Sequence, residues 1–287
     1  MQPFAYARPA AVSEALALLG THGSEACLLA GGTDVVVGLR NRTLSPKVVI
    51  DLKRVAELRP GIVEAGGRLT ISANTVLTDI GEDERIRAQF PALVEAMATV
   101  GSIQIRNRAT LTGNICHASP AADTAPPLLV YGAAVNVAGA GGTRRVDLAE
   151  FFVGPRQTVL EPGELVTSVE LPVTAERRGA AFARITRRRG VDLATISLCC
   201  LMEASGRTRF AFGAVGPRPF LVAEDSGVLA DPAAGDAAKD QILRQLLTQA
   251  SPISDVRGSR EYRVAMLLVM SRRTLRLAIE RLEAAGA

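Results

Sequence analysis

The chain has 287 residues, 48% hydrophobic and 22% charged, an ordinary balance for a soluble globular protein with one large core or two smaller ones. A net charge of +4 is mild for this length, Trp is absent and aromatics are only 4%, which argues against a nucleic-acid surface built on stacked rings. No apolar run approaches the ~20 residues of a bilayer span, and the N-terminus lacks the pattern of a signal peptide, so no membrane span and a cytoplasmic location are expected.

In chain order, Phe4-Ala5-Tyr6 reads as a short strand before Pro9. From Ala10 to Leu19, Val12, Leu16 and Leu19 form a helical stripe that Gly20 is expected to end. Ala26 to Ala30 is an apolar strand running into Gly31-Gly32. A short helix is expected from Val35 to Leu39, its free N–H groups and dipole facing an anion at the glycine turn. Lys47 to Leu52 is another strand. These pieces suggest a small α/β unit with partly parallel pairing.

The pattern then changes. Ile62 to Ala65 and Leu69 to Ser72 flank Gly66-Gly67, a hairpin signal. Helices are expected from Asp79 to Gln89, from Pro91 to Val100, and from Thr124 to Tyr131, the last begun by Asp123 with prolines in its first turn. Ala134 to Ala138 pairs with Arg144 to Asp147, and Leu165 to Leu171 is a further strand. A polar connection, Thr174 to Gly179, marks a domain boundary. Beyond it come three strands, Ala180 to Arg187, Thr195 to Glu203 and Thr208 to Val215. Two helices close the chain, Lys239 to Ala250 and Arg260 to Ala284. On the last, Val264, Leu267, Leu268, Leu275 and Ile279 cluster on one side. A three-stranded meander against helices is expected to be self-sufficient.

Two stretches carry chemistry. Thr110 to Asp123 is too punctuated by Gly and Pro for a helix and reads as a loop rich in hydroxyls and bared amides, suited to a phosphate. Ala30-Gly31-Gly32-Thr33-Asp34 has the same character. Alone, a Gly-Gly turn between strand and helix is more often a tight turn without a ligand, and it is neither G-x-G-x-x-G nor a P-loop. Two such loops suit a pyrophosphate, so the chain is read as folding around a dinucleotide.

Other candidates are weaker. Cys27, Cys116, Cys199 and Cys200 include no CxxC, and Cys199 and Cys200 point to opposite faces of a strand. They read as free thiols rather than disulfides, zinc ligands or cluster ligands, so no metal is expected on this chain. The Arg187-Arg188-Arg189 run reads as a solvated or interface face. His117 invites a catalytic or covalent flavin-linking role, but a lone His beside a loop is more often structural. No acid–base set or Ser/His/Asp set can be assembled, so no catalytic residue is assigned.

The ordered pieces resemble the FAD-binding medium subunit of the molybdenum hydroxylases, the xanthine dehydrogenase, carbon monoxide dehydrogenase and 4-hydroxybenzoyl-CoA reductase family. They are Leu29 to Asp34, Gln104 to Asn114, Ala118 to Asp123, Phe151 to Pro155, Glu161 to Leu165, Arg187 to Ala194 and Asp255 to Arg263. The resemblance spans essentially the whole chain. It implies an α+β fold: a two-part FAD-binding domain of the vanillyl-alcohol-oxidase (PCMH) type over residues 1–173. A small domain of the carbon monoxide dehydrogenase flavoprotein type would follow over 177–287, a three-stranded antiparallel sheet packed on helices.

The resemblance also implies roles. Leu29, Ala30, Gly31, Gly32, Thr33 and Asp34, with Thr110, Leu111, Thr112, Gly113 and Asn114, would hold the FAD pyrophosphate. Asp123 would bond the ribose or adenine side, Leu165 would pack on the cofactor, and Arg184 takes a place where relatives often carry Lys near the flavin. Thr112 replaces a family Gly, and Val100 stands where some relatives place an aromatic. The insertion that carries an extra iron–sulfur cluster in some members is absent, and no covalent flavin link is expected. The implied function is FAD-carrying electron transfer. Electrons would come from the [2Fe–2S] clusters of a small partner, beside a large partner bearing the molybdenum cofactor, and pass to an acceptor such as NAD, dioxygen or a quinone. The implied assembly is a dimer of heterotrimers. The alternatives are a stand-alone FAD oxidase or reductase, which would need a base near the flavin, and a flavin-free scaffold, which would have degraded glycine loops.

Overall fold

A computed structural model describes residues 1–286. The N-terminal unit is β1 (Ala5–Ala7), α1 (Val12–His22), β2 (Ala26–Leu29), α2 (Val35–Asn41) and β3 (Val48–Asp51). Its three strands lie in the order β1-β3-β2, and both pairings are parallel, with Ala5 and Ala26 each opposite Val48. Helix α1 passes through Gly20 and ends at Gly23, whose φ of +51° closes the helix. Gly20 does not stop it because a single glycine weakens a helix without breaking it when the buried stripe of Ala15 and Leu19 holds it down.

The hairpin of β4 (Ile62–Ala65) and β5 (Arg68–Ser72) turns on Gly66 and Gly67, both at positive φ. The expected helix from Asp79 to Gln89 is two helices, α3 (Leu77–Glu82) and α4 (Glu84–Gln89). Asp83 breaks it by adopting an extended conformation and accepting the amides of Arg85 and Ile86, a better use of its carboxylate than a mid-helix position. Next come α5 (Pro91–Ala98), α6 (Ile103–Arg106), α7 (Leu111–Cys116) and α8 (Ala125–Val130). Helix α7 occupies the first half of the stretch expected to be a loop.

Strands β6 (Ala134–Gly139) and β7 (Gly142–Asp147) form a hairpin. The short helix α9 (Leu148–Phe151) leads to the small pair β8 (Phe152–Gly154) and β9 (Gln157–Thr158), and then to β10 (Leu165–Pro172). Together β4-β5-β10-β6-β7 make one five-stranded antiparallel sheet.

The C-terminal sheet is a meander of four strands, not three: β11 (Arg178–Ile185), β12 (Ile196–Glu203), β13 (Thr208–Gly213) and β14 (Phe220–Glu224). The fourth strand follows a Gly-Pro-Arg-Pro turn and its apolar residues, Phe220 to Ala223, run consecutively, so it shows no period-2 alternation. Helices α10 (Asp236–Leu246) and α11 (Arg260–Ala284) complete the chain. On α11 the buried stripe is Leu267, Met270, Leu275 and Ala278 together with Arg263, whereas Val264 faces outward.

The meander is buried on both faces. Cys199, Leu201 and Ala211 join the main core beneath α5 and α8, while Leu198, Cys200, Met202, Phe210 and Phe212 face α11. The period-2 alternation of the strands thus splits one sheet between two cores. One sheet face of the second part is therefore covered by helices of the first part, a contact that the expectation of a self-sufficient meander did not include. Among the described residues no helix is long and apolar enough to cross a membrane.

Helix α11 approaches β11 so closely at Gly179 that an added Cβ would meet the Ala278 carbonyl and lie 2.5 Å from the Leu282 amide. Gly179→Ala is expected to destabilise the chain by about 1–3 kcal/mol through overpacking against backbone that cannot rotate away. A thermal melt equal to wild type would show that the helix can slide.

Candidate functional site

Strand β2 delivers the chain into Ala30-Gly31-Gly32-Thr33-Asp34, after which α2 begins. Gly32 has φ +83°, a conformation that favours glycine. Gly31 has a different reason for lacking a side chain: a Cβ there would collide with the Arg108 carbonyl and sit 3.0 Å from the Ala109 Cα. The glycine turn therefore lies directly on the backbone leading into Thr110. Among the described residues, the amides of Gly31, Gly32, Thr33 and Asp34 donate to no protein acceptor. The Ala30 carbonyl accepts from Lys53 Nζ at 3.4 Å, and Lys53 also pairs with Asp51 at 2.6 Å. Asp51 is buried and accepts from the Tyr6 hydroxyl. Burial pushes the Asp51 carboxyl up, but Lys53 and Tyr6 outweigh it and hold it below the ordinary carboxylate range.

The second stretch is pinned at its entry, where the Leu77 amide donates to the Ala109 carbonyl at 2.9 Å and Val76 bridges Thr110. Thr110 caps α7, its hydroxyl accepting the Gly113 amide at 3.0 Å. This cap is why Leu111–Cys116 is helical despite its glycine, and a Cβ at Gly113 would lie only 2.9 Å from the capping oxygen. The amides of Leu111 and Thr112 belong to the first turn and have no partner within the helix. Thr112 is buried, and its hydroxyl has no partner among the described residues. Asn114 Oδ1 accepts from the Thr124 hydroxyl at 2.7 Å, tying α7 to the start of α8.

After α7 the chain turns through Ala118 at φ +48°. Its carbonyl accepts from Arg156, and the Pro120 carbonyl accepts from Ala214 of the C-terminal part. Asp123 was expected to cap the next helix. Instead Thr124 precedes α8, and Asp123 turns to Arg184 on β11 at 2.6 Å. Both side chains are nearly enclosed, 8% and 12% exposed. A buried carboxylate gains more from a guanidinium than from helix amides, which explains the departure. Arg184 also reaches the Asp192 carbonyl at 3.4 Å, and the second Asp123 oxygen has no hydrogen-bond partner among the described residues. Burial pushes the Asp123 carboxyl up to about 6, with Arg184 pulling the other way.

The structure thus brings together the glycine turn and the Thr110 stretch, and ties the far end of the same segment, at Asp123, to Arg184. Leu165 is buried in the cluster with Ala15, Leu19, Ile50 and Leu52. Leu111 is also core, and His117 sits half-buried at the end of α7. Sequence reading overlooked Tyr6, Asp51 and Lys53. The visible signal was an Asp at the end of an otherwise apolar strand, Val48-Val49-Ile50-Asp51, with a Lys two residues on. Among the described residues no group of three or more His, Cys, Asp or Glu side chains could hold a metal.

A ligand with two phosphates and a polar sugar suits this arrangement. Two runs of unpaired amides lie side by side, and one Asp123 oxygen has no partner among the described residues. FAD supplies matching acceptors and donors.

Comparison with known proteins agrees. Residues 2–174 match the model of the FAD-binding domain in molybdopterin dehydrogenase, and residues 181–278 that of the CO dehydrogenase flavoprotein C-terminal domain. The chain is 34% identical over 287 residues to the carbon monoxide dehydrogenase medium chain of Hydrogenophaga pseudoflava, covering 96% of each. It is 30% identical over 279 residues to the xanthine dehydrogenase FAD-binding subunit of Escherichia coli O157:H7, covering 96% of this chain and 95% of that one. The solved carbon monoxide dehydrogenase of Hydrogenophaga pseudoflava lacking the Mo-pyranopterin moiety superposes with a TM-score of 0.89 at 32% identity, over 98% of this chain and 99% of that one.

The Asp123 carboxyl titrates above a free one, so the folded chain keeps its proton longer than the unfolded chain. Stability from the protonated form is therefore present at low pH and withdrawn as pH rises from about 4 to about 6. In the flavin-free chain, Asp123→Asn is expected to remove this downward component from a plot of melting temperature against pH. An unchanged profile would assign the titration to another group.

Proposed function

The chain belongs to the FAD-binding medium subunits of the molybdenum hydroxylases, and from that premise we propose that it is the electron-transfer subunit of a heteromeric oxidoreductase in the cytoplasm. The observation that carries this reading is the seating of Gly31 on the Arg108 carbonyl, which joins two amide-rich loops far apart in sequence. The FAD-binding part would span 1–173 and the smaller part 177–287.

In this reading the backbone from Leu29 to Asp34 and from Thr110 to Asn114 binds the pyrophosphate without side-chain cations, through the amides of Gly31 to Asp34, Leu111 and Thr112, which have no partner among the described residues. The Thr110 cap keeps the first turn of α7 in place. Asp123 accepts from the ribose or adenine side through the oxygen that Arg184 leaves free. Arg184 keeps Asp123 ionised near neutral pH and holds the Asp192 carbonyl beside the site. Leu165, buried with Ile50 and Leu52, would pack toward the cofactor from the core side.

The chemistry that FAD supplies when bound is relay of electrons from partner-borne [2Fe–2S] clusters to an acceptor such as NAD or dioxygen. That chemistry belongs to the ring, so this chain needs no acid–base set, and its residues position and shield. The partners would be a large subunit with the molybdenum cofactor and a small subunit with two [2Fe–2S] clusters, in a dimer of heterotrimers.

The first test is the visible spectrum of the purified chain, repeated on the supernatant after acid precipitation. An oxidised-flavin spectrum that moves to the supernatant and is identified there as FAD is the expected result. A colourless chain that takes up no added FAD would overturn the reading, and colour left in the pellet would overturn the non-covalent link. Gly31→Ala should lose most of its FAD, because the turn must lift away from Arg108 to make room.

A further inference from the structure

Lys53 lies outside both loops, yet its ammonium nitrogen donates to the Ala30 carbonyl at 3.4 Å. Its position is not free. Asp51 Oδ1 holds the ammonium at 2.6 Å and also accepts the Lys53 amide at 3.0 Å. Asp51 is 3% exposed, and the Tyr6 hydroxyl from β1 donates to its other oxygen. A buried carboxylate with three donors is a fixed anchor, so Lys53 is a surface side chain whose tip is tethered from within.

The carbonyl that Lys53 grips belongs to the Ala30–Gly31 peptide. The described chain has no cis peptide bond, so this unit is trans and planar. In such a unit the C=O and the N–H point in opposite directions. Drawing the Ala30 oxygen toward Lys53 therefore turns the Gly31 N–H away from it. That N–H has no protein acceptor among the described residues, and the Gly31 Cα rests on the Arg108 backbone. The peptide is held at its oxygen by Lys53 and at its α-carbon by the second loop. A glycine peptide without these restraints would rotate easily, because glycine has no Cβ to limit φ and ψ.

We propose that Lys53, held by Asp51 and Tyr6, is a positioning residue for FAD: it fixes the Ala30–Gly31 peptide so that the Gly31 amide is presented to the pyrophosphate. This rests on the reading of the two loops as the FAD site. Preorganising one donor avoids the cost of ordering it on binding. The effect concerns the phosphates alone, so it is the same for any ligand with the pyrophosphate and absent for the flavin ring by itself.

The test measures dissociation constants of the flavin-free chain for FAD, ADP and riboflavin, with a thermal melt of each variant. In Lys53→Met, which keeps the length of the side chain but not its donor, FAD and ADP should each bind about tenfold more weakly, with riboflavin within about twofold of wild type. Lys53→Arg keeps a donor for the Ala30 carbonyl and should restore most of the loss. Equal FAD and ADP affinity in wild type and Lys53→Met would overturn the proposal. So would a parallel fall for riboflavin together with a lower melting temperature, which would reveal general loosening. Failure of the wild-type chain to bind FAD at all would instead overturn the site reading, and this inference with it.

Discussion

The contact on which the site depends is one that glycine alone permits. Gly31 lies against the Arg108 carbonyl with no space for a single carbon. The two loops come from different architectures, a parallel three-stranded unit and the helical layer over an antiparallel sheet. Among the described residues no strand hydrogen bonds join those sheets, since β1-β3-β2 and β4-β5-β10-β6-β7 are separate. Close backbone contact does part of what a shared sheet would otherwise do. It sets the distance between the two rows of amides, and a pyrophosphate with two charged groups needs that distance to be constant.

The same segment is held at its far end by charge. Asp123 and Arg184 form a pair that is almost excluded from water, and the pair crosses from the first part of the chain to the second. Buried pairs of this kind add little net stability, because desolvation offsets most of the attraction. Removing one partner is costly all the same, so the pair works as a latch with a fixed geometry. The backbone repeats the link where Ala214 donates to Pro120, and a Cβ added at Gly213 would lie 3.3 Å from the Pro126 ring. With one sheet face completing the main core, the C-terminal part is a wall of the first rather than an appendage.

Much of this was legible in the residues, for reasons that differ by element. Helix α11 runs Arg260–Ala284 as the periodicity predicts, because it is long enough for periodicity to average out local exceptions. The hairpin at Gly66-Gly67 was plain because the turn chemistry is local. The glycine turn and Thr110 stretch stood out by composition. Their contact was not visible, since nothing in either segment encodes which carbonyl a glycine will meet. Helix α7 was hidden because a Thr cap can offset a glycine, and Asp123 was misplaced because its partner lies 61 residues away. The two misjudgements differ in source: Thr110 took a local capping role that offsets Gly113, whereas Asp123 gave up a local cap for a distant guanidinium.

Thr112 illustrates the limit of motif comparison. A Thr in place of a family Gly raises the expectation that the phosphate approach is tighter or shifted. In the fold the residue is the second of α7 and is buried, with its hydroxyl turned inward. The added side chain therefore occupies core, and the Thr110 cap that sets the first turn of α7 is kept. The penalty falls on stability instead, because a buried hydroxyl without a partner costs about 1–3 kcal/mol. The Thr110 cap and the Asn114–Thr124 bond hold α7 on either side of it. The site can carry this cost because its geometry is set by backbone and by capping, not by the one position where the motif departs.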